Sequence, residues 1–304
     1  MKELFIEKKF RGESLKRIIQ ANEIIGEMRS QGYTLSIRQL YYQYVQRGII
    51  PNKVQEYKRL IDLLSKARLA GLVDWSAFED RGRHVRGGDH GWENPAHYME
   101  SVGSDYAVKI WEGQENYVEV WIEKDALVGV IQRPCERLRV PYFSCRGYSS
   151  QTEQYNAGKR FASMAHDGKT CHVIHLGDHD PSGLDMSRDN QERLDMFSDY
   201  NVTLHRVALN MNQIEELNPP PNPAKLTDSR VGNYLSLYGK VSWELDALPP
   251  SYIDKLVQSE INKLIDVDVM NARRDLEREG REELSRIANN YEQIKDFLDR
   301  EGLE

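Results

Sequence analysis

Two stretches of this 304-residue sequence end apolar runs in carboxylates, where a divalent cation would be held. The first is Val-Glu-Val-Trp-Ile-Glu123-Lys124; the second, His172-Val-Ile-His-Leu-Gly177, delivers Asp178-His179-Asp180-Pro181-Ser182-Gly183. Residues two apart in extended chain project to the same side, so Asp178 and Asp180 are expected to face one way. With Glu123 from a neighbouring strand end they form an oxygen-rich site for a hard cation: Mg2+, or Mn2+ as a substitute. Such a cation neutralises a phosphodiester and stabilises its leaving oxygen, and Lys124 is placed to contact the phosphate. The helix that Pro-Ser-Gly should start adds a second preference for phosphate. His172, His175 and His179 make a poor zinc set, because no second Cys/His pair stands near them. They read as packing or supporting residues.

A second constellation is Ser36-Ile-Arg38-Gln-Leu-Tyr41-Tyr42. Helical neighbours point about 100° apart, so two adjacent tyrosines are expected in different environments, one buried and one facing a ligand. Arg38 lies one turn before Tyr42 on the same face, where a guanidinium lowers a phenol's pKa or binds a phosphate. A tyrosine so placed can attack a phosphodiester and form a covalent phosphotyrosyl intermediate. The plainer reading is a pair of core aromatics, which Tyr41 fits.

These groups need a scaffold, and the apolar spacing supplies one. Residues 12–31 form an amphipathic helix on Leu15, Ile18, Ile19, Ile24, Ile25 and Met28. Ser36 caps a second helix through Leu40, Tyr41, Tyr42 and Val45 that stops at Gly48. A third follows Pro51-Asn52, burying Val54, Tyr57, Leu60, Ile61, Leu64 and Leu69 and offering Lys53, Lys58, Arg59, Lys66 and Arg68. A short strand (Leu72, Val73, Trp75) and a basic loop with Arg81, Arg83 and Arg86 complete the order of a winged helix-turn-helix over residues 1–90. A plain three-helix cap would give the same helices. Residues 91–115 read as a partly structured linker. Strands at 118–122, 140–145, 172–176 and 202–208 then alternate with helices at 126–132, 151–165 and 184–197, the rhythm of a mainly parallel sheet covered on both faces. Functional groups of such sheets collect at strand C-terminal ends. Residues 209–254 look irregular and Pro-rich, and the chain is helical from Ser251. There Leu284, Ile287, Tyr291, Ile294 and Leu298 form a short heptad seam, expected to pack on the protein's own body.

The net charge of −7 argues weakly against a polyanion partner, but its distribution reverses the argument. Residues 1–90 hold 17 Lys+Arg against 11 Asp+Glu, and the rest 24 against 37. A basic N-terminal module on an acidic body suits double-stranded DNA and a metal, respectively. The three cysteines, Cys135, Cys145 and Cys171, form neither a disulfide framework nor a zinc set, pointing to a reducing cytoplasm. No signal sequence or membrane span is expected.

Glu123 after one strand and Asp178-x-Asp180 after a later one, 55 residues on, resemble a Toprim domain. Joined to a winged helix with Ser-x-Arg-x-x-Tyr-Tyr, the chain resembles the A subunit of type IIB topoisomerase and the related meiotic double-strand-break transesterases. The resemblance implies an α/β fold with a winged helix at 1–90, a Rossmann-like Toprim core at 116–210 and a Toprim extension at 211–304. It implies that Tyr42 is the nucleophile, Arg38 its helper, and Glu123, Asp178 and Asp180 the metal ligands. It further implies a homodimer, in which one protomer's tyrosine works with the other's metal site. Relatives also place a Gly-aromatic loop where Arg146-Gly-Tyr-Ser-Ser-Gln151 stands. Only about one helix precedes the tyrosine motif, and no ATPase signature occurs, so an ATPase B subunit is not expected. The chain looks like the short stand-alone proteins of this kind on phages and mobile elements, working in the cytoplasm of a bacterial or phage-infected cell. Asn218-Pro-Pro-Pro-Asn-Pro-Ala-Lys225, Asp228-Ser-Arg230 and Trp243-Glu-Leu-Asp-Ala-Leu248 are similar to segments of those proteins, without an assigned role. Two alternatives remain open: a Toprim nuclease of DNA or RNA in which metal-activated water attacks, and a non-catalytic DNA-binding protein.

Overall fold

The computed structural model describes residues 1–78, 91–145, 151–199, 202–224 and 231–302. The chain begins with helices α1 (Gly12–Ser30), α2 (Ile37–Gln46), α3 (Val54–Leu69) and α4 (Pro95–Asp105). Next come β1 (Asn116–Ile122), α5 (Val128–Leu138), β2 (Tyr142–Ser144), α6 (Gln151–His166), β3 (Thr170–Leu176), α7 (Pro181–Ser198) and β4 (Val202–Ala208). The remainder holds α8 (Met211–Leu217), β5 (Asn222–Pro223), α9 (Val231–Tyr238), β6 (Val241–Ser242), α10 (Pro250–Asn262), α11 (Val267–Asn289) and α12 (Tyr291–Glu301). The chain divides into two compact units, one of residues 1–84 and 118–263 and one of residues 85–117 and 264–304. Among the described residues no helix is long and apolar enough to cross a membrane.

In the first unit the sheet order is β2-β1-β3-β4, with β1–β2 and β3–β4 parallel. The chain therefore changes direction across the sheet between β1 and β3, the crevice where α/β sheets bind ligands. Glu123 follows β1 and Asp178 follows β3, so the order of the strands alone puts both carboxylates there. The amide of Glu123 donates to the Leu176 carbonyl at 2.8 Å, joining the two strand ends. Val118, Val120, Trp121, Ile122, Val173, Ile174 and Leu176 are buried, as expected of strands covered on both faces. Buried Glu119 is satisfied by the Trp121 indole at 2.9 Å and by both arms of Arg160 at 3.0 Å.

The N-terminal helices of this unit share a core of Ile18, Ile24, Leu40, Tyr44, Leu60 and Leu64, among others. Ser36 closes a capping box with Gln39 and fixes the start of α2, the tyrosine helix. The expected apolar faces are only partly right: Leu15 and Ile19 of α1 and Val54 and Ile61 of α3 are exposed. Ala247, from a one-turn 3-10 helix at Leu245–Ala247, completes this core.

Two local expectations are corrected. The strand at Leu72, Val73 and Trp75 is not formed. Asp74 caps the amide of Ser76 and binds the N-terminal ammonium and Arg29, which turns Trp75–Ala77 into a 3-10 helix. Only a single bridge, Leu35 to Phe78, runs there. Residues 209–254 are more ordered than their prolines suggested. A capping box of Asn210 and Gln213 starts α8, and β5 pairs antiparallel with β6.

In the second unit α4 lies along α11, so residues 91–115 carry a packed helix where a linker was expected. Gly280 admits the Tyr106 ring, which a Cβ would meet at 2.4 Å. Buried Glu277 accepts the Val108 amide at 3.0 Å. The expected heptad seam is interrupted at Asn290, between α11 and α12, and Ile287, Ile294 and Leu298 are exposed.

Two measurements check this architecture. Ser36→Ala should cost about 1 kcal/mol and Leu40→Ala about 2–5 kcal/mol in denaturant unfolding. His175 is fully buried between Ser187 Oγ at 3.0 Å and Cys145 Sγ at 3.7 Å, and burial pulls its pKa down to about 3. The unfolded chain takes up this proton near pH 6.5, so below that value it binds more protons than the folded one. Stability should therefore fall as pH drops from about 6.5 toward 3, and His175→Gln should flatten that slope in thermal melts at stepped pH.

Candidate active site at the strand ends

Glu123 Oε2 accepts the amide of Asp178 at 2.8 Å, so the two strand-end carboxylates are locked together. Gly177 and Gly183 permit that approach: a Cβ on Gly177 would stand 3.0 Å from Glu123 Oε2, and one on Gly183 would stand 2.4 Å from the Asp178 carbonyl. Asp178 Oδ1 accepts the Leu245 amide at 2.8 Å, while its Oδ2 lies 3.0 Å from Lys124 Nζ. Asp180 Oδ1 caps α7 by accepting the Gly183 amide at 2.7 Å. The two aspartates have different hydrogen-bond partners, and the charge of both acts on Glu123 and Arg206.

Lys124 ties these acids to a segment the sequence left without a role. Its ammonium also lies 2.7 Å from Glu244 and 3.0 Å from Asp246. Glu244 Oε2 is shared with Arg38 Nη2 of the tyrosine helix, whose Nε sits 3.3 Å from Asp246. One chain of ion pairs therefore runs from α2 through Glu244 and Lys124 to Asp178. Tyr42 belongs to it as well, because its phenol oxygen accepts from Asn222 Nδ2 at 3.1 Å and feels the charge of Arg38. A signal for Glu244 and Asp246 existed in Trp243-Glu-Leu-Asp, a second pair of acids two apart. Nothing in the sequence placed it beside the first pair.

The electrostatics follow from burial and an excess of acids. Burial raises Glu123 to about 7, helped by the charge of Asp178, and burial raises Asp178 to about 6 against the pull of Lys124. Burial also works against the charge of Lys124, yet Asp178, Asp246 and Glu244 raise its pKa on balance. Glu244 is held below its usual range despite burial, by Lys124 and Arg38. Among the described residues of this network Glu123, Asp178, Asp180, Glu244 and Asp246 face Lys124, Arg38 and Arg206, five acids against three cations. Arg206 is half-buried, and its Nη atoms donate to the carbonyls of Gly177, Asp178, Gly183 and Leu209 and to Ser187.

The tyrosine expectation is corrected in two respects. Tyr41 and Tyr42 share one environment: both are buried, with rings 5.4 Å apart. The Tyr42 pKa is raised to about 12, first by burial and then by Glu244, and these outweigh Asn222, Arg38 and Lys124. Arg38 does pull the phenol toward ionisation, but it is also paired with Glu244 and Asp246. The tyrosine helix is tied to the acids of its own chain.

The donor chemistry is of the kind a divalent cation takes. The donors are all oxygen, two carboxylates are raised by burial and by neighbouring acids, and Asp246 Oδ1 is buried with no hydrogen-bond partner among the described residues. As they stand the carboxylates bond to protein donors, and among the described residues no three Asp, Glu, His or Cys side chains form a ready metal cage. The three histidines have separate surroundings: His172 stacks on His205, His175 meets Ser187, and His179 sits among Tyr234, Tyr238 and Trp243.

Of the basic residues expected to meet DNA, Lys53 and Lys58 are exposed on or beside α3. Arg59 pairs with Glu56 at 2.5 Å and Lys66 pairs with Asp62. Arg68 is packed rather than presented, its guanidinium 4.5 Å from the Trp75 ring centre and bonded to the Trp75 carbonyl. Arg81, Arg83 and Arg86, the loop at 146–150, and Lys225, Asp228 and Arg230 lie outside the described residues. Compared with protein-family models, with curated proteins and with solved structures, the chain matches none.

Replacing Lys124 with Met would leave Asp178, Glu244 and Asp246 without their shared cation. Loss of one partner from such a buried network costs about 3–5 kcal/mol. Millimolar Mg2+ should return part of that stability to Lys124→Met in calorimetric melts, and more than it adds to wild type.

Proposed function

We propose that this protein cleaves double-stranded DNA by transesterification, with Tyr42 as the nucleophile and the strand-end acids as a magnesium site. The observation that carries the reading is the ion-pair chain from Arg38 through Glu244 and Lys124 to Asp178, which joins the tyrosine helix to the acids. Two sequence elements 80 residues or more apart, each suited to phosphodiester chemistry, have no structural need to meet. Glu123, Asp178 and Asp180 would hold the cation, which neutralises the phosphodiester and the leaving oxygen when bound. Arg38 and Lys124 are the cations that act on the Tyr42 phenol, and both would turn from Glu244 to the phosphate oxygens of a bound strand. The excess of acids around them keeps the site closed to phosphate until a cation arrives. Helices α1–α3 would lie on DNA, with Lys53, Lys58, Arg59 and Lys66 on the backbone. Cutting both strands requires two copies, hence a homodimer of the kind the type IIB topoisomerase A subunit forms.

The burial of Tyr42 and its raised pKa favour a second reading, in which water attacks and the phenol only orders Arg38 and Asn222. Under it the substrate is DNA or RNA. Supercoiled plasmid incubated with Mg2+ or Mn2+, quenched with detergent and run with and without protease separates the two. Protein-linked breaks that Tyr42→Phe and Asp178→Ala both abolish are the expected result. Free ends that survive Tyr42→Phe and vanish in Asp178→Ala would establish the water mechanism instead.

A further inference from the structure

Tyr41 and Tyr42 are neighbours in sequence, yet their hydroxyls are joined through space by two asparagines. The Tyr41 hydroxyl, which accepts the Lys53 amide at 2.8 Å, donates to Asn52 Oδ1 at 3.0 Å. Asn52 Nδ2 donates to Asn222 Oδ1 at 2.8 Å, and Asn222 Nδ2 donates to the Tyr42 oxygen at 3.1 Å. Both amide orientations are fixed by obligate acceptors. Asn52 Nδ2 also meets the Pro221 carbonyl at 2.8 Å, and Asn222 Nδ2 also meets Glu244 Oε1 at 3.4 Å. Flipping either amide would set oxygen against oxygen. The backbone of Asn222 is held as well, between Pro221 and Pro223 and in register with Ser242 across the β5–β6 ladder.

We propose that Asn222 is a catalytic residue whose amide N–H holds the Tyr42 oxygen through its change from phenol to phosphoester, with Asn52 and Tyr41 as positioning residues. The inference rests on Tyr42 being the nucleophile. In the step concerned, the phenolic proton passes to solvent, an Oη–phosphorus bond forms, and the bond from phosphorus to the leaving sugar oxygen breaks. That sugar oxygen takes a proton from solvent. A hydrogen bond donated to the phenol oxygen strengthens as the oxygen becomes an anion, so it lowers the barrier more than it stabilises the resting state. The groups facing Tyr42 are then one donor, Asn222, and the charges of Arg38 and Lys124, set against the opposing charge of Glu244.

The test measures the rate of protein–DNA covalent complex formation across pH for wild type, Asn222→Ala, Asn222→Asp and Asn52→Ala. Asn222→Asp keeps the shape, removes the donor and sets a carboxylate against the phenol oxygen. Asn52→Ala weakens the support of the donor without adding charge, so the pair separates hydrogen bonding from charge. We expect both Asn222 variants to lose on the order of 100-fold in rate and Asn52→Ala about tenfold. In all three the pH of half-maximal rate should move upward, while DNA affinity stays at the wild-type value. A merely structural role would leave that pH unmoved. Should Asn222→Ala fail to fold, judged by its melt, Asn222→Asp and Asn52→Ala decide the matter. Wild-type rates and an unchanged pH profile in the Asn222 variants would overturn the inference and leave the tyrosine reading intact. Free ends only, from wild type itself, would overturn both.

Discussion

A single, mostly covered ammonium organises the site. Lys124 sits within 3.0 Å of Asp178, Glu244 and Asp246, which come from the end of β3 and from the turn after β6. Three carboxylates so close would repel one another in a low-dielectric interior, by several kcal/mol for each pair at an effective dielectric of about 20. With the ammonium among them they become a fixed point on which separate segments converge. Arg38 extends the same arrangement to α2, because Glu244 accepts from both cations. The position of the tyrosine helix relative to the sheet is thus an electrostatic consequence as much as a packing one.

That arrangement leaves more acid than base among the described residues, and the surplus adds to burial in raising the acids and the phenol. Glu123 and Asp178 ionise reluctantly, first because burial disfavours their charge and then because of one another or of Glu244 and Asp246. Tyr42 is kept a phenol by burial and by Glu244, although Asn222 donates to its oxygen. Positive charge arriving at the strand ends would move all three toward their anionic forms together. The same arrival would loosen the hold of Glu244 on Arg38. Charge delivered at one end of the network is therefore felt at Tyr42.

The sequence was most legible where local chemistry decides structure. Ser36 and Gln39 cap α2, the apolar runs became β1 and β3, and Asp178 follows the strand that should deliver it. It was misleading where a side chain made an unforeseeable bond. Leu72, Val73 and Trp75 have strand-like character, but Asp74 between them found the N-terminal ammonium and bent the chain into a 3-10 turn. Burial of α3 was misassigned for a related reason, since Glu56 lies inward with Arg17 while Val54 and Ile61 do not. The site itself was half legible. Glu123, Asp178, Asp180, Arg38 and Tyr42 could be picked by residue type and spacing. Asn52, Asn222, Glu244 and Asp246 could not, because their significance lies in pairings across 120 to 206 residues in the ion pairs and 169 to 180 in the amide bonds.

The burial of Ala247 has a consequence for how such proteins can be recombined. This residue follows the two acids Glu244 and Asp246 by one turn, and it fills the core of the N-terminal helices. Helices α1–α3 are consecutive in the chain, but their interior is completed by a side chain some 180 residues after α3. A module defined by sequence continuity would be cut at residue 90 and would carry a hole where a methyl group belongs. A module defined by its core includes the 3-10 turn at Leu245–Ala247, which carries Ala247. Exchange between relatives, natural or engineered, that preserves activity must move those segments as one piece, so the heritable unit here is a discontinuous one.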